Sequence, residues 1–214
     1  MSSPSKETRD VGLLSTGRVD AFSDGVFAIA ITVLVLELKI PEGGDLPREL
    51  ASAWPSYLGY FVSFAFIGAV WMAHSTLSKF LKAVDQVFLG LNLILLLLVS
   101  LLPFTSGLMA SNLTDSGERL AVAIFGLNLT LASGMVNVLV RYASRTPGLS
   151  DRVGDQEMKA FARQRRLAIA VQAIATVLAL VAPYVAVACY LVVTLLALLS
   201  PVARAWSKRR EVAT

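Results

Sequence analysis

Along this chain, long apolar runs alternate with short polar breaks, and the runs exceed what a half-buried helix or strand of a soluble domain needs. A helix rises 1.5 Å per residue, so roughly 20 apolar residues cross a hydrocarbon core of about 30 Å. The first run covers about 19–40 and stops at Pro41, Glu42, Gly43, Gly44 and Asp45. A second covers about 55–74, entered at Pro55, a residue suited to a first helical turn. The third covers about 84–109, with Pro103 late enough to kink it. The fourth covers about 120–142. From Leu167 to Leu199 the chain is almost uninterruptedly apolar, about 50 Å of helix and too long for one span. The pattern therefore predicts two helices there, about 163–182 and 184–203, joined by a tight turn near Pro183. The expected fold class is an all-α polytopic membrane protein with six transmembrane helices within residues 18–204. A polar segment, 1–17, precedes them, and a basic tail, 205–214, follows.

Composition agrees with that reading. Of 214 residues, 56% are apolar and 16% charged, against about 25% charged in a typical soluble domain. Mean hydropathy is +0.67. The N-terminal stretch carries no apolar core or small-residue cleavage site, so no removable signal peptide is expected. Cys189 is the single cysteine, which excludes an internal disulfide, and one cysteine with one histidine does not make a zinc site.

Charge sets the orientation, because Lys and Arg concentrate on cytoplasmic loops. With the N-terminus inside, the inner segments hold Lys6, Arg9 and Arg18, then Lys79 and Lys82, then seven basic residues between Arg141 and Arg166, then Arg204, Lys208, Arg209 and Arg210. The outer segments hold Lys39, Arg48 and Arg119. Both termini are expected in the cytoplasm and the protein in the cell membrane. The loop from Arg141 to Arg166 reads as a turn around Pro147 and Gly148, then a basic amphipathic run facing phospholipid; no motif in it points to nucleic acid.

The first span opens with charges that lipid tolerates badly, Arg18, Asp20 and Asp24. Ionisable groups inside a span normally face protein or a water-filled cavity. Arg18 and Asp24 are six positions apart, whereas direct helix pairs are three or four apart, so each needs partners on other helices. Alternating topology brings Trp71 and His74 of the second span and Asn92 of the third to the same inner level. A network among Ser23, Asp24, His74 and Asn92 is expected, with Arg18 stacked on Phe22 or Trp71. For His74 two readings stand: a structural donor to Asp24, or a pH sensor or proton relay.

The same helix has a smooth face. At about 100° per residue, Gly25, Ile29, Thr32, Val33 and Leu36 form one stripe, and Asp24 lies about 140° from Ile29. The plain reading is a packing or lipid face, with Thr32 bonded back to a backbone carbonyl.

The segment from Arg18 to Leu38 resembles the first-helix signature of the bacterial branch of the transmembrane protein 175 family. That signature, R-x-x-x-F-S-D, is met by Arg18, Phe22, Ser23 and Asp24, and the Trp71/His74 pair, six-span layout and length are also similar. The resemblance implies a potassium-permeable channel, a homotetramer whose four first helices line a central pore, with no TVGYG filter. It implies an apolar constriction at Ile29, continued by Val33 and Leu36, and a threonine layer at Thr32 tied to selectivity. Arg18, Phe22, Ser23, Asp24, Trp71, His74 and Asn92 are then the network that anchors the pore helix. Four Ile29 side chains can close a neck by dewetting, and uncharged Thr32 hydroxyls imply modest K+ over Na+ preference. Glu37 or Glu42 can concentrate cations at the outer mouth, although Glu42 also reads as a solvated rim. The expected partners are lipid bilayer and monovalent cations; no cofactor is expected, and no metal beyond transient K+ in the pore.

The alternative function is a proton-coupled secondary transporter or proton leak pathway using Asp24 and His74. No inverted repeat supports a carrier. Enzyme chemistry is not expected: adjacent Ser23 and Asp24 diverge by about 100° on a helix, and no nucleophile elbow accompanies them.

Overall fold

A computed structural model describes residues 15–38, 44–150 and 152–212. The expected N-terminal segment up to residue 14, together with Lys39 and Glu42, lies outside the described residues, as do the side chains of the tail. Eight α-helices follow in order: α1 Thr16–Val33, α2 Leu46–Ser52, α3 Trp54–Ser78, α4 Gln86–Ser100, α5 Leu102–Asn112, α6 Glu118–Ala143, α7 Arg152–Leu178 and α8 Pro183–Val212.

Among the described residues, four helical rods are long and apolar enough to cross a membrane: Thr16–Glu37, Trp54–Ser78, Gln86–Asn112 and Glu118–Ala143. Pro183–Leu199 is a shorter apolar stretch within α8. The first rod tightens at its end, where Leu34–Glu37 forms a 3-10 turn before the chain turns extended at Leu38. The third rod is α4 and α5 in series. It breaks at Leu101, so that Pro103 falls in the first turn of α5, where its missing N–H costs no helical bond. Between α7 and α8 the chain turns through residues 179–182 and restarts on Pro183.

Two elements depart from the hydrophobic pattern. Helix α2 arises in the polar loop because Asp45 accepts from the Arg48 backbone N–H at 3.4 Å and Pro47 sits in the first turn. Helix α8 continues past 203 to Val212, into the stretch expected as a tail. Its last turns are rich in Ala, Arg and Lys, good helix formers.

Helix α6 is the centre of the bundle, packed on α4, α5, α7 and α8. Val122, Phe125, Leu129, Ala132, Val136 and Leu139 on it are fully buried. Gly126 lets the helices close, since a Cβ there would collide with the Tyr190 phenol and crowd Thr176. Tyr190 donates to Thr176 Oγ1 at 3.3 Å and packs edge-on against Phe125. Helix α1 lies at the margin against α3 and α4, and its final turn against α5. There Glu37 covers Gly107, and a Cβ at that glycine would collide with the carboxylate.

The rods alternate in direction. Asp20 near the start of α1 accepts from Ser78 at the end of α3 (2.6 Å). Asp85, before α4, accepts from Tyr142 at the end of α6 (2.6 Å) and caps α4 through the Phe88 N–H (2.8 Å). Lys82 N–H donates to Leu149 O (2.8 Å), tying the α3–α4 turn to the α6–α7 loop. These contacts gather at one end of the bundle; Glu37 on Gly107 and Tyr184 on the Leu113 carbonyl mark the other.

Candidate functional site: the two faces of α1

Helix α1 divides sharply. Ser23, Phe27 and Ala30 are buried, and Leu34 follows them on the same face in the 3-10 turn. These positions recur at steps of three and four, one side of a helix. The other side holds Phe22, Gly25, Ile29, Thr32, Val33 and Leu36, all exposed in the single subunit, with Ile29 at 65% and Leu36 at 76%. Gly25, Ile29, Thr32, Val33 and Leu36 are the stripe that helical winding predicts, and Phe22, expected in the anchoring network, stands exposed beside them.

Thr32 Oγ1 donates to the Ile29 carbonyl at 2.9 Å. A hydroxyl has one proton and two lone pairs, so spending the proton inward leaves oxygen acceptor capacity for a polar neighbour on the open side. Ile29 and Val33 also edge a shallow depression shared with Ser100 and Pro103 on the third rod.

The anchoring residues form two separate arrangements. In the buried one, Asn92 sits between helices: its Nδ2 donates to Ser23 Oγ at 2.9 Å and its Oδ1 meets His74 Nε2 at 2.9 Å. With the amide assigned that way round, His74 carries its proton on Nε2. Ser23 is completely buried and His74 and Asn92 nearly so, which makes each hydrogen bond costly to lose. Phe27 lies against the His74 ring, centroids 5.7 Å apart. In the second arrangement, on the exposed side, Trp71 Nε1 donates to Asp24 Oδ1 at 2.8 Å.

Two expectations are corrected. His74 gives its hydrogen bond to Asn92, whereas Asp24 takes the Trp71 indole; an amide at the middle of the buried face outcompetes a carboxylate that points outward. Arg18 stacks on neither Phe22 nor Trp71: among the described residues, the cation–π contact is Arg165 over Phe161 at 5.5 Å. Arg18 and Phe22 both lie exposed on the first turns of α1. Ser23, Asp24 and His74 do not form a triad, because Asn92 separates Ser23 from His74 and Asp24 faces Trp71.

Two polar ties were not expected from the sequence, Asp20 with Ser78 and Asp85 with Tyr142. The second had a signal, since Asp85 immediately precedes an apolar helical run and so reads as an N-cap. Glu37 over Gly107 had none: a lone glycine in an apolar run does not disclose what approaches it. No group of three or more His, Cys, Asp or Glu among the described residues is arranged to hold a metal.

Comparisons with known proteins fall on this arrangement. Residues 18–103 match the family model described as "Endosomal/lysosomal potassium channel TMEM175". A protein of Chamaesiphon minutus named as a potassium channel is 36% identical over 179 residues, 80% of this chain and 88% of that one. A Streptomyces collinus protein, also named as a potassium channel, is 38% identical over 140 residues, 64% of this chain and 68% of that one. Among solved structures, a lysosomal potassium-selective channel TMEM175 homolog from Chamaesiphon minutus superposes with a TM-score of 0.79 and 32% identity, covering 86% of this chain and 97% of that chain.

Proposed function

The chain belongs to the TMEM175 family, and from that premise we propose that it is a potassium-permeable cation channel in which α1 is the pore-lining helix. On this reading each subunit has six spans with both termini cytoplasmic, in the cell membrane. Four copies close the pore, since one α1 per subunit supplies only part of a wall.

The observation that carries this reading is the division of α1. One face is fastened to α3 and α4 by Ser23, Asn92 and His74, while Ile29, Thr32, Val33 and Leu36 stand open. Exposed Ile and Leu alone fit lipid equally well. The position of Thr32 within the stripe favours water and ions, because its oxygen retains acceptor capacity after the Ile29 bond. In the tetramer, four Ile29 side chains form a dewetting neck, with Val33 and Leu36 continuing the wall, and four Thr32 oxygens replace part of a cation's hydration shell. A ring without formal charge or a carbonyl cage gives modest K+ over Na+ selectivity. Ser23, Asp24, Trp71, His74 and Asn92 set the depth and rotation of α1, while Arg18 and Phe22 stand exposed on its first turns.

The proton-relay alternative is the weaker reading, since no hydrogen bond among the described residues joins Asp24 to His74. Conductance of the purified protein in planar bilayers tests the proposal. K+ current is expected, with Thr32→Ala moving the K+/Na+ reversal potential toward zero and Ile29→Asn raising leak. Absence of K+ current across voltage and pH would refute the channel reading, and proton current without K+ current would favour the relay.

A further inference from the structure

Helix α7 packs on α6 and α8, and α8 packs on α3, so α3 and α7 face each other across a gap. That gap is a cavity of about 1010 Å³ with mostly apolar walls from α3, α7 and α8. It is as large as the pockets that hold sizeable small molecules. It lies away from the exposed face of α1 and shares no residue with it.

Its polar lining is sparse, and two buried polar atoms on it lack a partner. Arg165 lines the cavity with Nε buried and unpartnered, its guanidinium 5.5 Å over the Phe161 ring. Thr194 Oγ1, on a residue 1% exposed, is also buried without a partner. Buried polar groups without a partner are costly, so this wall carries hydrogen-bonding capacity that the chain itself leaves unmet. Lys79, exposed at the end of α3, is a second cation on the cavity wall. The end of α3 adjoins the loop that leads into α7, as the Lys82–Leu149 hydrogen bond shows, so Lys79 stands at the end of the cavity from which α7 enters. From Arg165 the α7 wall runs about 10 Å further to Gln172.

An apolar slot with two cations at one end and unmet hydrogen-bonding capacity matches one chemistry. We infer that the cavity between α3, α7 and α8 is a binding site for an acidic phospholipid. Its phosphate is held by Lys79 and Arg165 and one acyl chain lies in the slot. A second copy of this chain fits less well, because the two cations on the cavity wall call for an anion. The site does not depend on the pore reading, because it rests on residues outside α1.

Photolabelling of the full-length protein in nanodiscs tests this, using phosphatidylglycerol and phosphatidylcholine probes with a photoreactive group in the acyl chain. Phosphatidylglycerol is expected to label the cavity segments of α7 and α8 about tenfold more than phosphatidylcholine, since each basic group adds to anionic-lipid affinity. Lys79→Gln with Arg165→Gln should bring the two probes level, and Ala168→Phe, which fills the slot, should lower both. If Arg165→Gln fails to fold, Lys79→Gln and Ala168→Phe alone carry the comparison. Equal labelling of the wild type by both probes would overturn the inference. So would labelling indifferent to these variants, or no cavity label from either lipid, the result of a neighbouring subunit filling the space.

Discussion

The indole N–H of Trp71 meets the carboxylate of Asp24 at 2.8 Å, joining α3 to the exposed side of α1 rather than to its buried one. Hydrogen bonds to charged groups contribute about 1.5–3 kcal/mol, so Trp71→Phe should lower the melting temperature of the detergent-purified protein by several degrees. Asp24→Asn keeps an acceptor oxygen and should retain most of the stability, whereas Asp24→Ala should resemble Trp71→Phe. A Trp71→Phe protein melting with the wild type would show that the contact fastens nothing.

Asn92 is the hinge of the buried arrangement, and both of its partners lose when it goes. Asn92→Leu leaves Ser23 and His74 buried without this partner, at about 1–3 kcal/mol for each orphan. Ser23→Ala removes one of those orphans. Unfolding measurements on the two single variants and the double should therefore show coupling of about 1 kcal/mol, with the double variant less damaged than the sum. Strict additivity would contradict the network.

Gly126 is a packing requirement. Gly126→Ala drives a Cβ into the Tyr190 phenol and should sharply lower the yield of folded protein. Tyr190→Leu removes the ring that stands in the way, so combining it with Gly126→Ala should recover part of that loss. Size-exclusion profiles of the three variants read this directly. No recovery would assign the closeness to another neighbour.

Much of this architecture is legible in the sequence because membrane helices announce themselves by uninterrupted apolar length. The stripe Ile29, Thr32, Val33 and Leu36 is legible for the same reason: helical winding is regular, and the residues open in the structure are those that share a side on the wheel. Pairing is not legible. Several polar residues converge at one level, and which of Asn92 and Asp24 takes the His74 proton depends on rotations of α3 and α4 that periodicity does not fix. Nor does any local signal disclose that Glu37 folds over Gly107 or that Arg165 faces a cavity, since both depend on helices far apart in the chain.

If the open face of α1 lines a water-filled path for K+, side chains along it lie within reach of water-soluble reagents. In a Cys189→Ala background, cysteines introduced at Thr32, at Leu36 and, as a control off α1, at Phe61 of α3, itself 63% exposed, can be tested with a cationic water-soluble thiol reagent during bilayer recording. K+ current is expected to fall on reagent addition for Thr32→Cys and Leu36→Cys and to be unchanged for Phe61→Cys. Unaltered current at Thr32→Cys and Leu36→Cys, or equal block at Phe61→Cys, would contradict a pore-lining α1.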